Sequence, residues 1–184
     1  MRVLSGEQNL PVREARSGDA DAWEVLLARY RLPLYAYVYE LVRQEQTSLD
    51  LVQETFINAA RHIGGLQADE KFGSWLFSIA HQKCIQHWRR RKPQEITLDP
   101  QDEILPADEL GPPDLLIRKE QEEAFMSLLG QLAVPLRAVL LLHFVEDFSL
   151  AEIAHITGTP VGTVKSRLHY ARKAFRNLLE DSKA

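Results

Sequence analysis

Cysteine is nearly absent from the sequence, since Cys84 is the only one in 184 residues. A single cysteine excludes a disulfide within the chain, which is typical of a protein in a reducing cytoplasm. Long apolar runs are also missing, because no stretch approaches the roughly 20 residues that span a bilayer. The first residues, MRVLSGEQNLPVREARSGD, lack the apolar core and the small-residue cleavage site of a signal peptide. We therefore expect a cytoplasmic protein with no direct membrane insertion.

The sequence also lacks the motifs of common catalytic and metal sites. Neither a G-x-x-x-x-G-K-[ST] phosphate loop nor a G-x-S-x-G nucleophile elbow is present. The histidines and Cys84 show no paired ligand spacing, and the separation of His81 from His87 does not place them on one helix face. We predict no catalytic residue, no metal and no cofactor.

The charge of the chain is unevenly distributed. The formal net charge is −4, yet residues 81–92 and residues 158–179 carry Lys and Arg without any acid, whereas residues 94–124 carry ten acids. Local basic surfaces bind phosphates even when the whole chain is acidic. The alternative is that these cations only solvate helix faces, and either patch alone leaves that alternative open.

Helical periodicity runs through almost every apolar stretch, which predicts an all-α protein. In the N-terminal part, Asp19 or Asp21 can cap a helix up to about Val42 that Pro33 splits or kinks. Thr47 or Ser48 is a candidate N-cap for the next helix, and a third helix starts near Phe72. The second helix has one predicted apolar stripe: Leu49, Val52, Phe56, Ala60 and Ile63.

Prolines and acids separate two units. Residues 93–114 read as an acidic, Pro-rich linker, between an N-terminal unit at 10–92 and a C-terminal unit at 115–180. In the second unit, Ser149 and Glu152 form a capping box, and Gly158 ends the short helix that the box begins. Thr159 then caps another helix with Pro160 at its first position. Two helices joined by such a turn predict a helix-turn-helix.

The second helix of this motif carries the predicted DNA contacts. In a helix-turn-helix that helix enters the major groove, while cations around it bind phosphates. Val164, Leu168 and Ala171 are spaced to face inward. The candidate outward-facing or phosphate-binding residues are Thr159, Thr163, Lys165, Ser166, Arg167, His169, Tyr170, Arg172 and Lys173.

A second basic patch lies at the end of the N-terminal unit. Trp75, His81, His87 and Trp88 stand among basic residues there, and aromatic rings beside cations suit single-stranded nucleic acid. The alternative is that Trp75 belongs to the core and that Trp88 alone is exposed.

The order of these motifs resembles an extracytoplasmic-function (ECF) sigma factor of the sigma-70 family. DLVQETFINAARHI resembles the helix that docks on the polymerase clamp, and FGSWLFSIAHQKCIQHWRRRK resembles the helix that reads the −10 promoter element. LAVPLRAVLLLHFVEDFSLAEIAHITGTPVGTVKSRLHYARK resembles the domain that reads the −35 element. The resemblance implies two small helical domains, a region 2-like bundle and a region 4-like helix-turn-helix, joined by the acidic linker.

The resemblance also implies site residues in the N-terminal unit. Contacts to the −10 element fall on Leu66, Lys71, Gln82, Lys83, Gln86, Arg89 and Arg90. Among these, Leu66 in the loop 64–71 and Gln82 would form the pocket for a base flipped out of the promoter DNA. The surface that binds polymerase falls on Asp50, Gln53, Glu54 and Asn58. Gln82 and Gln86 stand where the family usually has Asn and Asp, and Tyr170 stands where it commonly has Arg. These departures leave the base preference at both elements open.

A member of this family directs core RNA polymerase to promoters and traps melted DNA by capturing a flipped base. Its implied partners are core RNA polymerase, promoter DNA and an anti-sigma factor, which can hold it at the inner face of the membrane. The competing hypothesis is a stand-alone helix-turn-helix repressor or activator, which would bind duplex DNA unaided, usually as a dimer.

Overall fold

The computed structural model of the protein describes residues 10–91 and 127–181, and all their regular structure is helical. In the first range, α1 spans Val12–Arg16, α2 Ala20–Val42, α3 Glu45–His62 and α4 Phe72–Arg91. In the second range, residues 127–131 are helical, α5 spans Val134–Leu140, α6 Leu150–Thr157 and α7 Val161–Asp181. The predicted all-α class is confirmed, whereas the predicted linker at 93–114 and residues 115–126 lie outside the described residues.

Helix α2 is continuous, so of the two predicted effects of Pro33, a split or a kink, the split is wrong. Asp19 caps its start by accepting a hydrogen bond from the Ala22 amide at 2.9 Å, as predicted. Pro33 is buried in its middle, and Tyr30 and Tyr37 one turn to either side are buried too. A proline costs a helix one hydrogen bond. We attribute the continuity of α2 to the burial of these large side chains, which offsets that cost.

Helix α3 begins earlier and faces differently than predicted. Its N-cap is Gln44, and the proposed cap Ser48 instead donates from inside the helix to the Gln44 carbonyl at 2.7 Å. Leu49 is 47% exposed and Ala60 is exposed as well, so the predicted apolar stripe is wrong at both positions. The buried face instead includes Leu51, Thr55 and Ala59, because α3 packs against α2 and α4 together.

Aromatic side chains fill the N-terminal unit. The Phe72 ring lies 5.4 Å from the Tyr30 ring and 5.9 Å from the Trp75 ring, between centroids. Trp75 is half-buried against this cluster, so it belongs to the core, as the alternative interpretation had it. Burial raises the pKa of the Cys84 thiol to about 12, which keeps that thiol protonated.

The C-terminal unit confirms the helix-turn-helix. Ser149 and Glu152 form the predicted capping box at the start of α6, and Gly158 ends α6 with a φ of +64°. That left-handed conformation suits glycine, which has no Cβ to clash. Ile153 and Ile156 of α6 are buried together with the predicted inward residues of α7, which are Val164, Leu168 and Ala171.

The two units pack against each other and share one hydrophobic core. Phe77 of α4 meets Phe148, just before α6, with ring centroids 5.2 Å apart. The Arg137 guanidinium of α5 crosses to α2 and donates to the Glu40 carbonyl. This carbonyl lies in the last turn of α2, where helical carbonyls have no partner within the helix. The second unit therefore caps a helix of the first, and we call this arrangement the closed conformation.

Candidate nucleic-acid interface

The recognition helix α7 presents a basic outer face. Among the predicted contacts, Lys165, His169, Tyr170 and Lys173 are exposed, while Thr163, Arg167 and Arg172 are half-buried. The Arg172 guanidinium carbon lies 5.5 Å from the Phe144 ring centroid, which orients that side chain along the helix surface. This face combines hydroxyl, imidazole, phenol and cationic groups, the set that binds base edges and phosphates.

The prediction that Ser166 faces outward is wrong. Its side chain is buried, and its hydroxyl donates to the Gly162 carbonyl at 3.2 Å. Helix α7 packs on α5 as well as on α6, so its buried arc is wider than the three predicted inward positions suggest. Because the Ser166 hydroxyl is bonded to the backbone of its own helix, Ser166 does not contribute to the outer face.

The turn before α7 is held by hydroxyl groups. Thr157 donates to the Ile153 carbonyl at 2.8 Å, so its oxygen can accept the hydrogen bond of the Thr159 hydroxyl, also at 2.8 Å. Helix α7 starts at Val161, and the Pro160 carbonyl accepts from the Val164 amide at 3.1 Å, so Pro160 is the N-cap and the prediction that Thr159 caps this helix is wrong. The Thr159 side chain therefore stabilises the turn, and the Thr159 backbone lies next to the first residues of α7.

On α4, the predicted −10 residues form a polar strip near the C-terminal end. Gln82, Gln86, Arg89 and Arg90 are exposed, and the i, i+4 spacing places the two glutamines on one side of the helix. Lys83 is held differently, because its ammonium pairs with the Glu54 carboxylate of α3 at 2.8 Å. Lys83 thus connects the predicted −10 surface to the predicted polymerase surface.

The loop before α4 is anchored from within, and Leu66 does not line an open pocket there. Its side chain is 8% exposed, while its carbonyl accepts a hydrogen bond from the Arg16 guanidinium at 3.0 Å. The same Arg16 nitrogen pairs with Asp69 at 2.6 Å. The prediction that Leu66 forms part of a base pocket is wrong for this conformation, because the loop turns that side chain into the core. Lys71, at the end of the loop, is exposed as expected.

Two of the rings predicted to stack on bases, His81 and Trp88, have structural roles. His81 is buried, and its Nδ1 hydrogen-bonds to the Tyr37 hydroxyl at 2.8 Å. Burial, aided by the charge of Arg167, lowers the pKa of His81 to about 4, so the imidazole is neutral at pH 7. Trp88 is half-buried and donates through its indole nitrogen to the Leu41 carbonyl at 3.3 Å.

The outer face of α3 carries the predicted polymerase residues together with apolar groups. Asp50, Gln53 and Glu54 are exposed and Asn58 is half-buried. Leu49 and Ile57, which were not predicted here, are 47% and 42% exposed on the same helix. Apolar groups rimmed by polar ones are typical of protein interfaces. In the sequence, the eight-residue separation of the apolar residues Leu49 and Ile57 is the pattern that indicates this outer face of α3.

The two predicted DNA surfaces meet at one cavity of about 170 Å³ between the units. Gln82 and Arg89 line it from α4, and Arg167 lines it from α7. Thr159 contributes from the turn of the helix-turn-helix. Among the described residues, no group of His, Cys, Asp and Glu side chains is arranged to hold a metal ion. None of the helices in the described ranges is long and apolar enough to cross a membrane.

A helix-turn-helix with a basic recognition helix, joined to a helical unit with its own basic strip, defines a DNA-binding transcription protein. The family model "Sigma-70 region 2" matches residues 26–94, and "Sigma-70, region 4" matches residues 122–175. The chain belongs to the ECF group of the sigma-70 family of RNA polymerase sigma factors.

Two relatives match over almost their full length. The chain is 30% identical to the RNA polymerase sigma-H factor of Pseudomonas aeruginosa, with 97% of both chains covered. It is 29% identical to the ECF RNA polymerase sigma factor SigW of Bacillus subtilis, covering 92% of this chain and 95% of SigW.

Two solved structures share the fold. CnrH, solved in complex with the cytosolic domain of CnrY, matches with a TM-score of 0.67 and 26% identity, covering 92% of this chain and 95% of CnrH. The sigma factor RpoE of Bartonella quintana, solved with the anti-sigma factor NepR, matches with a TM-score of 0.66 and 25% identity. That match covers 88% of this chain and 98% of RpoE.

Proposed function

We propose that this sigma factor brings core RNA polymerase to specific promoters through two separate DNA surfaces and promotes promoter melting without bond chemistry of its own. The observation that carries the proposal is the pair of exposed basic helix faces, one on each family region. The face on α7 serves the −35 element, and the strip on α4 with Lys71 serves the −10 element.

At the −35 element, side chains in the first half of α7 contact the bases. Thr163, His169 and Tyr170 reach base edges, while Lys165, Arg167, Arg172 and Lys173 bind phosphates. Tyr170 has one hydroxyl and cannot make the bidentate contact that Arg makes to guanine. The −35 sequence is therefore expected to differ from that of relatives with Arg at this place.

At the −10 element, the amides of Gln82 and Gln86 each offer a donor and an acceptor to an unpaired base. Arg89 and Arg90 follow on the same helix and suit the phosphates of a single strand. Flipping a base costs a few kcal/mol of unstacking, which these contacts offset. Leu66 supports this surface from the core by fixing the loop that carries Lys71.

Binding both elements requires the two units to separate. The −10 and −35 elements are about 25 base pairs apart, which is roughly 85 Å along B-DNA. In the closed conformation Gln82 and Arg167 line one cavity of about 170 Å³, so one duplex cannot engage both faces. The residues from 92 to 126, fully extended, reach at most about 120 Å. The chain is thus long enough for the open conformation that promoter binding demands.

An anti-sigma factor is the proposed regulator. One of the two similar structures was solved with the anti-sigma factor NepR. The exposed Leu49 and Ile57 among the polar residues of α3 offer a surface that polymerase and such an inhibitor would compete for. This proposal places the free protein at the nucleoid, and the inhibited protein at the inner face of the membrane if its inhibitor is anchored there.

The deciding experiment is transcription in vitro with sigma-free core polymerase and a genomic DNA library, followed by sequencing of the transcript starts. We expect new starts that share two elements at a fixed spacing. The free protein should bind the same promoters weakly, and strongly once polymerase is added. A protein that protected duplex DNA unaided and produced no starts would instead be a stand-alone regulator.

Lys165 provides a test of the −35 surface. Replacing Lys165 with alanine should weaken the holoenzyme on all promoters and lower the salt slope of binding by about one, because one phosphate contact releases about one counterion. The measurement is fluorescence anisotropy of labelled promoter DNA between 50 and 200 mM salt, the range over which such contacts are sensitive. Arg176→Ala, an exposed cation further along α7, is the matched control and should keep the slope. An unchanged slope for Lys165→Ala would place that side chain off the DNA.

A further inference from the structure

A buried acid lies at the junction between the two units and has no role in the proposed DNA contacts. Glu146 follows the π-helical turn Leu141–Val145 that continues α5, and its side chain is 4% exposed. Its Oε2 atom is buried and has no hydrogen-bond partner among the described residues. A buried polar atom left without a partner costs about 1–3 kcal/mol, and more when it is charged.

The groups that face Glu146 from the other unit do not neutralise it. Arg29 of α2 is near enough for its charge to act on the carboxyl, but the two form no ion pair within 4 Å in the described part of the chain. The Tyr37 hydroxyl of α2 is hydrogen-bonded to His81 of α4 at 2.8 Å. Cys84 of α4 lies near Tyr37, and its thiol is protonated. Burial outweighs the charge of Arg29 and raises the pKa of Glu146 to about 7.

We propose that Glu146 is a proton-linked release for the closed conformation. The closed conformation buries the neutral carboxylic acid, and the ionised carboxylate drives the units apart toward the open conformation. The inference rests on the proposed function, because promoter binding is what requires the units to separate.

The sign of the pH effect follows from linkage. In the open conformation a solvated Glu146 has an ordinary pKa near 4.5, whereas in the closed conformation its pKa is about 7. The stabilisation of the closed conformation is complete below pH 4.5 and is lost as the pH rises through 7. Over that window, opening releases one proton, so each pH unit favours opening by up to about tenfold.

His81 lies at the same junction and titrates in the opposite sense. Burial, followed by the charge of Arg167, lowers its pKa to about 4, so a His81 that became exposed on opening would take up a proton. The pH dependence of the wild-type protein therefore contains both groups. A comparison of Glu146→Gln with the wild type at each pH removes the contribution of His81.

The test measures closure by fluorescence transfer between dyes on Ala60→Cys and Asn177→Cys, two exposed positions on different units. Every variant also carries Cys84→Ala so that only these sites are labelled. Relative to Glu146, Glu146→Gln should raise the ratio of closed to open protein by about two orders of magnitude at pH 8, and by less than about tenfold at pH 5. Glu146→Met, which is also neutral, should shift the ratio in the same direction if the glutamine variant does not fold.

Asp147→Asn is the matched control, because Asp147 is exposed and has a φ of +60°, a conformation that asparagine accepts. Equal closure of the wild type and Glu146→Gln at pH 8, or an equal shift in Asp147→Asn, overturns the inference. The dye measurement needs no polymerase. If the wild type directs transcription and closure ignores Glu146, the inference fails and the proposed function stands. If the wild type directs no transcription with core polymerase, the proposed function fails whatever the dyes report.

Discussion

An Arg137→Met variant is expected to lose the closed conformation and to bind core polymerase more readily than the wild type. The Arg137 side chain is 6% exposed at the junction of the two units. Besides the Glu40 carbonyl, its guanidinium donates to the carbonyls of Gly130 at 2.9 Å and Leu132 at 2.8 Å. Methionine fills a similar volume but satisfies none of these carbonyls. The loss should be about 3 kcal/mol, the scale on which one partner of a buried charged cluster is removed.

The neighbouring residues show how closely the two units approach each other at Arg137. Glu40 is buried, and its carboxylate already pairs with Arg43 at the end of α2. The Arg43 guanidinium also lies over Gly130. A Cβ atom added at Gly130 would come within 2.9 Å of that guanidinium. The backbone of the C-terminal unit therefore approaches α2 closely, and the Glu40 carbonyl accepts hydrogen bonds from Arg137 of α5 and, at 3.4 Å, from the Arg43 Nε atom.

Urea unfolding and the dye distance between positions 60 and 177 separate the two consequences of Arg137→Met. The junction should open at urea concentrations where the helices of each unit, followed by circular dichroism, remain intact. Arg31→Met, at an exposed position on α2, is the control and should change stability by no more than about 0.5 kcal/mol. A closed Arg137→Met variant with wild-type unfolding would show that Phe77, Phe148 and the other apolar contacts hold the units without this side chain.

Local signals in the sequence were sufficient for the helix-turn-helix. The capping box of Ser149 and Glu152 and the glycine at 158 each act within four residues, so their physics is complete in a short window. The same holds for Asp19 at the start of α2. The periodicity of α7 then placed three inward residues correctly, because a helix repeats its faces whatever surrounds it.

Several of the errors lie where distant parts of the chain decide. Pro33 stays within α2 because its neighbours along the helix are buried, and Ser166 is buried because α5 covers a second side of α7. At the junction, Arg137 contacts Glu40 across 97 positions of sequence, so no local sequence pattern predicts this contact. Leu66 looked like an exposed loop residue because its anchor, Arg16, is 50 positions away.

Leu66→Asp provides the sharpest test of that correction. If Leu66 were an exposed residue of a base pocket, an aspartate there would abolish promoter opening and leave polymerase binding intact. The structure instead predicts that the change places a carboxylate in the core of the N-terminal unit, next to the loop that Arg16 holds. The cost should be about 3–5 kcal/mol, which is enough to unfold much of a marginally stable unit. Both polymerase binding and promoter opening should then fail together.

The control for Leu66→Asp is Gln67→Asp, which adds the same charge at the next, exposed position. It should keep the thermal midpoint of the wild type and its binding to core polymerase. Leu66→Met preserves the apolar volume and should fold and open promoters normally, since such exchanges usually cost less than about 1.5 kcal/mol. A folded Leu66→Asp variant that binds polymerase but cannot open promoters would show that Leu66 belongs to the DNA-binding surface. It would also mean that the loop turns over between the closed conformation and the promoter complex, because in the closed conformation that side chain is covered.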